Sequence, residues 1–585
     1  MNAQGTWDLS FLYESFDDPR FAQDLKTLPE DIAALRNLLD CQCEPRQHLE
    51  HMIGDLEAVY AKAEHLMSYC MLTLSVDATN ADAAMYMGRI EVMLNDLSLF
   101  TSGLTRFVGG LDNLEEIIAA SDKLQGVAFA LREMQKEFDH LIPAEIEPWV
   151  LQMQLSGSGA FSQLRDKLDS THTVEYRGQT LPLPAVRGMA YDADASVRKD
   201  AYEAEIASYK KIELPMSYCL NSIKMEARTL AKAHGYDSVL DWTLAGSRMD
   251  RTTLDAMLTA IQEYLPHFRR YMRAKAAYLG HKNGLPFYDL FAPVGKGGRT
   301  YTAQEACEKL VLELGKFTPA MGEFVQHAFD HDWIDMYPRE GKTGGAFCAG
   351  AHAYDRSLVM TNFQGSFSDV STLAHELGHA WHNRCMAGLS PLVADAPMPL
   401  AETASIFNET MLSHQVLKDA TPEEQFTLLE AGLMEATQVV VDIYSRYLFE
   451  TEVIETRADH AMTVEELKDA MLRAQDASYG DGLDPEVRHP YMWACKSHYY
   501  SAGLNFYNFP YAFGLLFGKG VFAQYLREGD SFVPKYNQLL RSCGMDDIAG
   551  VAASVGIDVR NPDFWRASLE VIRQEIDRFC QLCEG

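Results

Sequence analysis

Apolar positions along this chain recur mostly at helical spacing. From about Pro45 to Gly103, Leu, Met and Ala return every three or four residues with few turn formers before Ser102-Gly103, which predicts long amphipathic helix. The same period runs from Asp194 to about Ala233 and from Thr252 to Tyr278. Two stretches keep a different rhythm. Alternation around Arg177-Gly178 predicts a small hairpin near 171–184, and the glycine cluster of 342–350 leads into Ser357-Leu-Val-Met-Thr-Asn-Phe-Gln-Gly365, whose β-branched and aromatic content predicts an antiparallel pair. Helical patterning then resumes almost to the C-terminus. The pattern therefore predicts a mostly α protein, with a boundary near residue 190 that separates an N-terminal helical lobe, 1–190, from a larger domain, 191–585. No fixed-period repeat or low-complexity segment is visible, which argues against a solenoid.

Composition narrows the function classes. Lys and Arg number 51 against 83 Asp and Glu, a formal charge of -32. Nucleic acids and anionic membranes attract clustered positive charge, so neither is an expected partner. An apolar content of 47% is too high for disorder, and no run approaches the roughly 18 uncharged apolar residues that span a bilayer. The first residues, MNAQGTWDLSFLYESFDDPRF, lack a basic start followed by an apolar run, so neither a signal nor a transit peptide is expected and the cytoplasm is the expected location. Eleven scattered cysteines suit reduced thiols. Cys41 lies near Cys43, and Cys580 and Cys583 have zinc-knuckle spacing but no further ligands nearby.

The chemistry concentrates in Ser368-Asp-Val-Ser-Thr-Leu-Ala-His375-Glu376-Leu-Gly-His379-Ala-Trp-His382. Ser368 is the expected N-cap, with Asp369 in the first turn at the positive end of the helix dipole. Histidines at i and i+4 share a helical face, so both imidazoles can reach one Zn²⁺ at about 2.0 to 2.1 Å. Glu376 then stands where a carboxylate can take a proton from metal-bound water. With 18 His in 585 residues the motif arises by chance roughly 0.04 times, so a third ligand is needed to secure it. Pro399-Leu-Ala-Glu402-Thr-Ala-Ser-Ile-Phe-Asn-Glu409 offers one on a second helix, after a first helix that ends near Gly388. Glu402 is the expected ligand and Glu409 the expected acceptor behind a ligand. His382 is a competing ligand on the same face, expected instead to be a wall residue. Gly378 inside the helix costs about 1 kcal/mol relative to Ala, which suggests close approach of another backbone.

These residues resemble the oligoendopeptidase F family of zinc metallopeptidases, relatives of thimet oligopeptidase. The resemblance rests on Ala374-His-Glu-Leu-Gly-His-Ala-Trp-His382, Glu402-Thr-Ala-Ser-Ile-Phe-Asn-Glu409, Gly345-Ala-Phe-Cys348, the early Trp7-Asp-Leu-Ser and a tyrosine-rich stretch from His498 to Gly514. It implies a two-lobed helical zincin with a small antiparallel sheet beside the active-site helix and a deep central channel that admits short peptides. It also implies that Leu358–Gly365 is an edge strand that pairs with the substrate backbone. By order and approximate spacing it assigns His498, Tyr507 and Tyr511 as donors to the oxyanion formed during peptide hydrolysis. Ser501-Ala-Gly503 and Pro510 depart from the family pattern there.

The expected activity is thus internal cleavage of oligopeptides. One Zn²⁺ per chain would be held by His375, His379 and Glu402, with Glu376 as general base. A helical zinc carboxypeptidase shares H-E-x-x-H but needs a basic clamp for the substrate carboxylate. A non-catalytic helical scaffold has no use for Glu376. The sequence leaves the oligomeric state open.

Overall fold

The computed structural model describes residues 5–41, 43–295 and 299–584. The long apolar stretch forms two helices, Pro45–Val76 (α1) and Ala81–Gly109 (α2). Asp77-Ala-Thr-Asn80 breaks it: the Asp77 carboxylate accepts the Thr79 N–H, and the Asn80 side chain accepts the Ala83 N–H as an N-cap. The expected hairpin is present as Thr173–Tyr176 (β1) and Gln179–Pro182 (β2). Arg177 (φ 46°) and Gly178 (φ 79°) are both left-handed, which matches the twist of a two-residue hairpin turn. The next helical series divides into Ala195–Ser208 (α3) and Glu213–Ala233 (α4), and Arg251–Tyr278 (α5) follows.

Ile334–Asp335 (β3), Phe347–Ala351 (β4) and Arg356–Met360 (β5) form one sheet in the order β3-β5-β4. The antiparallel β4–β5 pair was expected, but the two-residue β3 joins β5 in parallel, so the sheet is mixed. This overturns the reading of Leu358–Gly365 as an edge strand. β5 has neighbours on both sides, and Thr361 and Phe363 donate to the carbonyls of Asp335 and Met336. The edge is β4. A central strand covered on both faces reads as a continuous apolar run, and Leu358, Val359 and Met360 are all buried.

Phe367–Met386 (α6) carries the histidine motif, and Thr403–Asp419 (α7), Ile443–Thr456 (α8), Phe509–Glu528 (α9) and Val533–Ser542 (α10) follow. Among the described residues no helix is long and apolar enough to cross a membrane. Cys41 and Cys43 are joined as a disulfide, in contrast to the expected reduced thiols, while Cys580 and Cys583 are free.

The chain gathers into two compact units, each assembled from three separate segments. The first comprises Met1–His140, Gly298–Val416 and Gln524–Gly556. Its N-terminal helices bury Leu49, Ile53 and Leu56 in the same core as Leu358 and Met360 of β5. The second comprises Leu141–Gly297, Leu417–Ala523 and Ile557–Gly585, so residue 190 lies inside it. Its buried charges are paired, as desolvation requires: Lys224 with Glu450 at 2.7 Å and Arg198 with Asp289 at 2.7 Å.

The glycine expected to mark a close approach does so. A Cβ at Gly378 of α6 would stand 2.5 Å from the Ala404 carbonyl oxygen and 2.6 Å from Ser405 Cα of α7, neither of which is a flexible side-chain tip. Gly378→Ala is therefore expected to destabilise the protein by about 1 to 3 kcal/mol through overpacking, although alanine favours helix. Urea unfolding of the two proteins checks this, and an unchanged or raised midpoint would show that the two helices can separate freely.

Candidate metal centre

α6 starts from a reciprocal cap: the Ser366 hydroxyl accepts the Asp369 N–H, and the Asp369 carboxylate accepts the Ser366 N–H. The cap is thus Ser366 and not Ser368, which lies inside the first turn. One helical turn separates His375 from His379, and their Nε2 atoms stand 3.2 Å apart. Glu402 sits where the short turn Met398–Ala401 meets α7, and the Ser405 hydroxyl donates to its Oε2 at 2.8 Å. That oxygen lies 3.3 Å from His375 Nε2 and 3.4 Å from His379 Nε2. Donors at about 2.0 Å from a tetrahedral Zn²⁺ lie about 3.3 Å from one another. The three expected ligands therefore meet at the spacing that this ion requires.

Charge and hydrogen bonding agree with a cation site. Glu409, on α7, accepts from His375 Nδ1 at 2.5 Å, which fixes the ring and leaves Nε2 for the ligand side. Burial opposes ionisation of Glu402, but the bonds and charge of His375 and His379 outweigh it and hold the carboxyl well below the usual range. Glu402 keeps 38% of its side chain exposed, so solvent or substrate can reach the centre. Glu376 is buried at 5% exposure, and that burial raises its carboxyl above the ordinary value. A raised carboxylate is a better proton acceptor near neutral pH.

His382 does not join the centre. Its Nε2 lies 3.1 Å from the Leu540 carbonyl of α10, and complete burial, aided by the charge of His379, pushes its imidazole down to about 4. It is a buried, hydrogen-bonded residue beside the helix, in keeping with the wall residue expected from the sequence.

His498, Tyr507 and Tyr511 belong to the second unit and come together there. The His498 ring centre is 5.1 Å from that of Tyr507 and 6.1 Å from that of Tyr511, and the two phenol rings are 5.1 Å apart. Burial and the charges of Arg446, Lys496 and Arg165 lower the His498 pKa, so its imidazole is neutral at pH 7. What orders this stretch has no local signal along the chain. Glu450, on α8 and paired with Lys224 of α4, accepts the Phe506 N–H at 3.0 Å and an Asn508 side-chain N–H at 2.8 Å. Lys224 also donates to the Asn505 side chain at 2.9 Å, and Phe506 takes a left-handed φ of 51°. A buried ion pair thus holds both flanks of Tyr507. Asn408 was likewise missed: it donates to the Ala374 carbonyl at 3.2 Å and ties α7 to α6 one residue before His375. An Asn beside Glu409 inside a helix was the available signal.

The sequence profile of peptidase family M3 matches residues 188–571, more than half of the chain. The chain belongs to this family and is a metalloendopeptidase. The M3 chain is 21% identical over 597 residues to oligopeptidase PepF of Bacillus subtilis, covering all of this chain and 88% of that protein. It is 26% identical over 390 residues to the group B oligopeptidase PepB of Streptococcus agalactiae, covering 66% of this chain and 64% of that one. The crystal structure of oligoendopeptidase F from Enterococcus faecium shares the fold, with a TM-score of 0.73 at 18% identity over 97% of this chain and 99% of that chain. The metal that an M3 peptidase requires fits the donor set of His375, His379 and Glu402 by chemistry and by spacing.

The depressed His382 of the M3 peptidase has a consequence for stability. The unfolded chain takes up a proton near pH 6.5, whereas the folded chain refuses it until about 4. This contribution to stability is full above pH 6.5 and is lost as pH falls towards 4. Between pH 7 and pH 5, His382→Gln is expected to lose about 2 kcal/mol less stability than the parent, measured by urea unfolding at both values. Equal losses in the two proteins would contradict a neutral buried imidazole.

Proposed function

We propose that this M3 peptidase is a zinc endopeptidase of short oligopeptides, with His375, His379 and Glu402 as metal ligands and Glu376 as general base. The 3.2 to 3.4 Å spacing of the three donor atoms carries the assignment. When bound there, Zn²⁺ would supply a Lewis acid that polarises the scissile carbonyl and acidifies water. Glu376 accepts the proton of the attacking water and returns it to the leaving amine, a cycle suited to a carboxyl whose pKa burial has raised. Glu409 keeps the His375 ring in one orientation. His498, Tyr507 and Tyr511 donate hydrogen bonds to the oxygen on which negative charge develops, and a neutral His498 retains a proton to donate.

Substrate backbone pairs with β4, which has a strand neighbour on one side only. Such pairing uses main-chain groups and so accepts many side chains. The names of the relatives, oligopeptidase and oligoendopeptidase, support short peptides as substrates, and every proposed catalytic group falls within 191–585, which we assign as the catalytic domain. The acidic composition suits a cytoplasmic enzyme with no nucleic-acid or membrane partner.

Mass spectrometry of a digested peptide library, run with the parent and with Glu376→Gln, tests this function. The parent is expected to release internal fragments from peptides of about ten residues faster than from disordered protein-length chains. Glu376→Gln is expected to retain its metal and lose about 10² to 10⁴-fold in turnover. Release of single C-terminal residues would establish a carboxypeptidase instead, and a loss smaller than tenfold would remove Glu376 as the main proton acceptor.

A further inference from the structure

Two groups of His, Cys, Asp or Glu side chains among the described residues bring three donor atoms within 4.8 Å of one another. One is the centre described above. The other is Glu205, His489 and Cys495, all in the second unit and drawn from sequence positions nearly 300 residues apart. Glu205 comes from α3, His489 precedes a short helix, Met492–Cys495, and Cys495 is its last residue. Glu205 Oε1 is the hub, 3.4 Å from His489 Nε2 and 3.8 Å from Cys495 Sγ. In a tetrahedron about Zn²⁺, with bonds of about 2.0 Å to oxygen and nitrogen and about 2.3 Å to sulfur, these edges are about 3.3 and 3.5 Å. The His–Glu centre of the same chain meets that standard at 3.2 to 3.4 Å, and the two edges of the second cluster that meet at Glu205 come within a few tenths of an ångström of it.

We propose that Glu205, His489 and Cys495 form a second metal-binding position, for a thiolate-seeking divalent cation of the zinc class. One thiolate, one imidazole and one carboxylate suit zinc, cobalt or cadmium and disfavour magnesium and calcium, which take oxygen donors. Glu205 and His489 are 8% and 2% exposed; the Glu205 carboxylate faces His489 Nε2, and His489 Nδ1, which has no hydrogen-bond partner, can carry the ring proton when Nε2 binds the ion. The Tyr209 hydroxyl lies 2.9 Å from Glu205 Oε1 and 2.8 Å from Cys495 Sγ, where it can donate to either ligand. Arg187 opposes the ion, since its guanidinium lies 3.4 Å from Glu205 Oε1. Its side chain is one-third exposed, however, and a long arginine can withdraw into solvent. Burial holds the Cys495 thiol at about 11, so binding forms a metal–sulfur bond and releases the thiol proton to solvent. The bound cation would clamp α3 to the segment that precedes His498.

Cobalt reports this position selectively, because Co²⁺ bound to thiolate has a near-ultraviolet charge-transfer absorption and the His375–His379–Glu402 set contains no sulfur. The chelator-stripped protein is titrated with Co²⁺ while this absorption and the bound metal are measured. Two cobalt ions per chain are expected with the absorption present. Cys495→Ser should bind one ion and lose the absorption, whereas Cys580→Ser with Cys583→Ser should keep both. Glu205→Gln should weaken cobalt binding at this position at least tenfold with the thiol intact, which serves if Cys495→Ser does not fold. A parent chain that binds one ion without the absorption, or an absorption that survives in Cys495→Ser, would overturn the assignment.

Discussion

The candidate metal centre depends on how closely two helices approach at Gly378. α6 and α7 meet backbone to backbone there, with no room for even a methyl group. That approach sets the distance across which Glu409 reaches His375 Nδ1, Asn408 reaches the Ala374 carbonyl, and Glu402 reaches both Nε2 atoms. Each of these bonds is short-ranged, so a shift of even half an ångström would lose several together. The flexible glycine costs about 1 kcal/mol of helix propensity, and the site it permits explains why the helix tolerates it.

A second set of constraints acts in the other unit. Buried ions cost free energy unless paired, and Glu450 is paired with Lys224 while also accepting from Phe506 and Asn508. Removing either charge would leave the other stranded, so the ion pair specifies one conformation for the stretch that carries Tyr507. This accounts for the left-handed Phe506, a backbone state that an isolated chain would avoid.

Much of the candidate metal centre's geometry was legible because its information is local. Two histidines four residues apart need only a helix to face one ion, and the acidic residue after a return of 23 positions needs only an antiparallel neighbour. Gly378 was legible for the same reason. The edge strand was not, since that identity depends on Ile334↔Val359 pairing with a strand of two residues that has no periodicity to detect. The Asp77–Asn80 break was hidden by apolar spacing that resumes across it. His498, Tyr507 and Tyr511 were singled out only through family resemblance, because aromatic residues with this pattern ordinarily fill cores. Glu205, His489 and Cys495 carry no local signal, and only folding brings their donor atoms together.

The most direct test of the account is anomalous diffraction at the zinc edge from crystals of the metal-loaded protein. A peak is expected at about 2.0 to 2.2 Å from His375 Nε2, His379 Nε2 and a carboxylate oxygen of Glu402, with Glu409 remaining bonded to His375 Nδ1. A peak bound by Glu409 or His382 in place of Glu402 would contradict it.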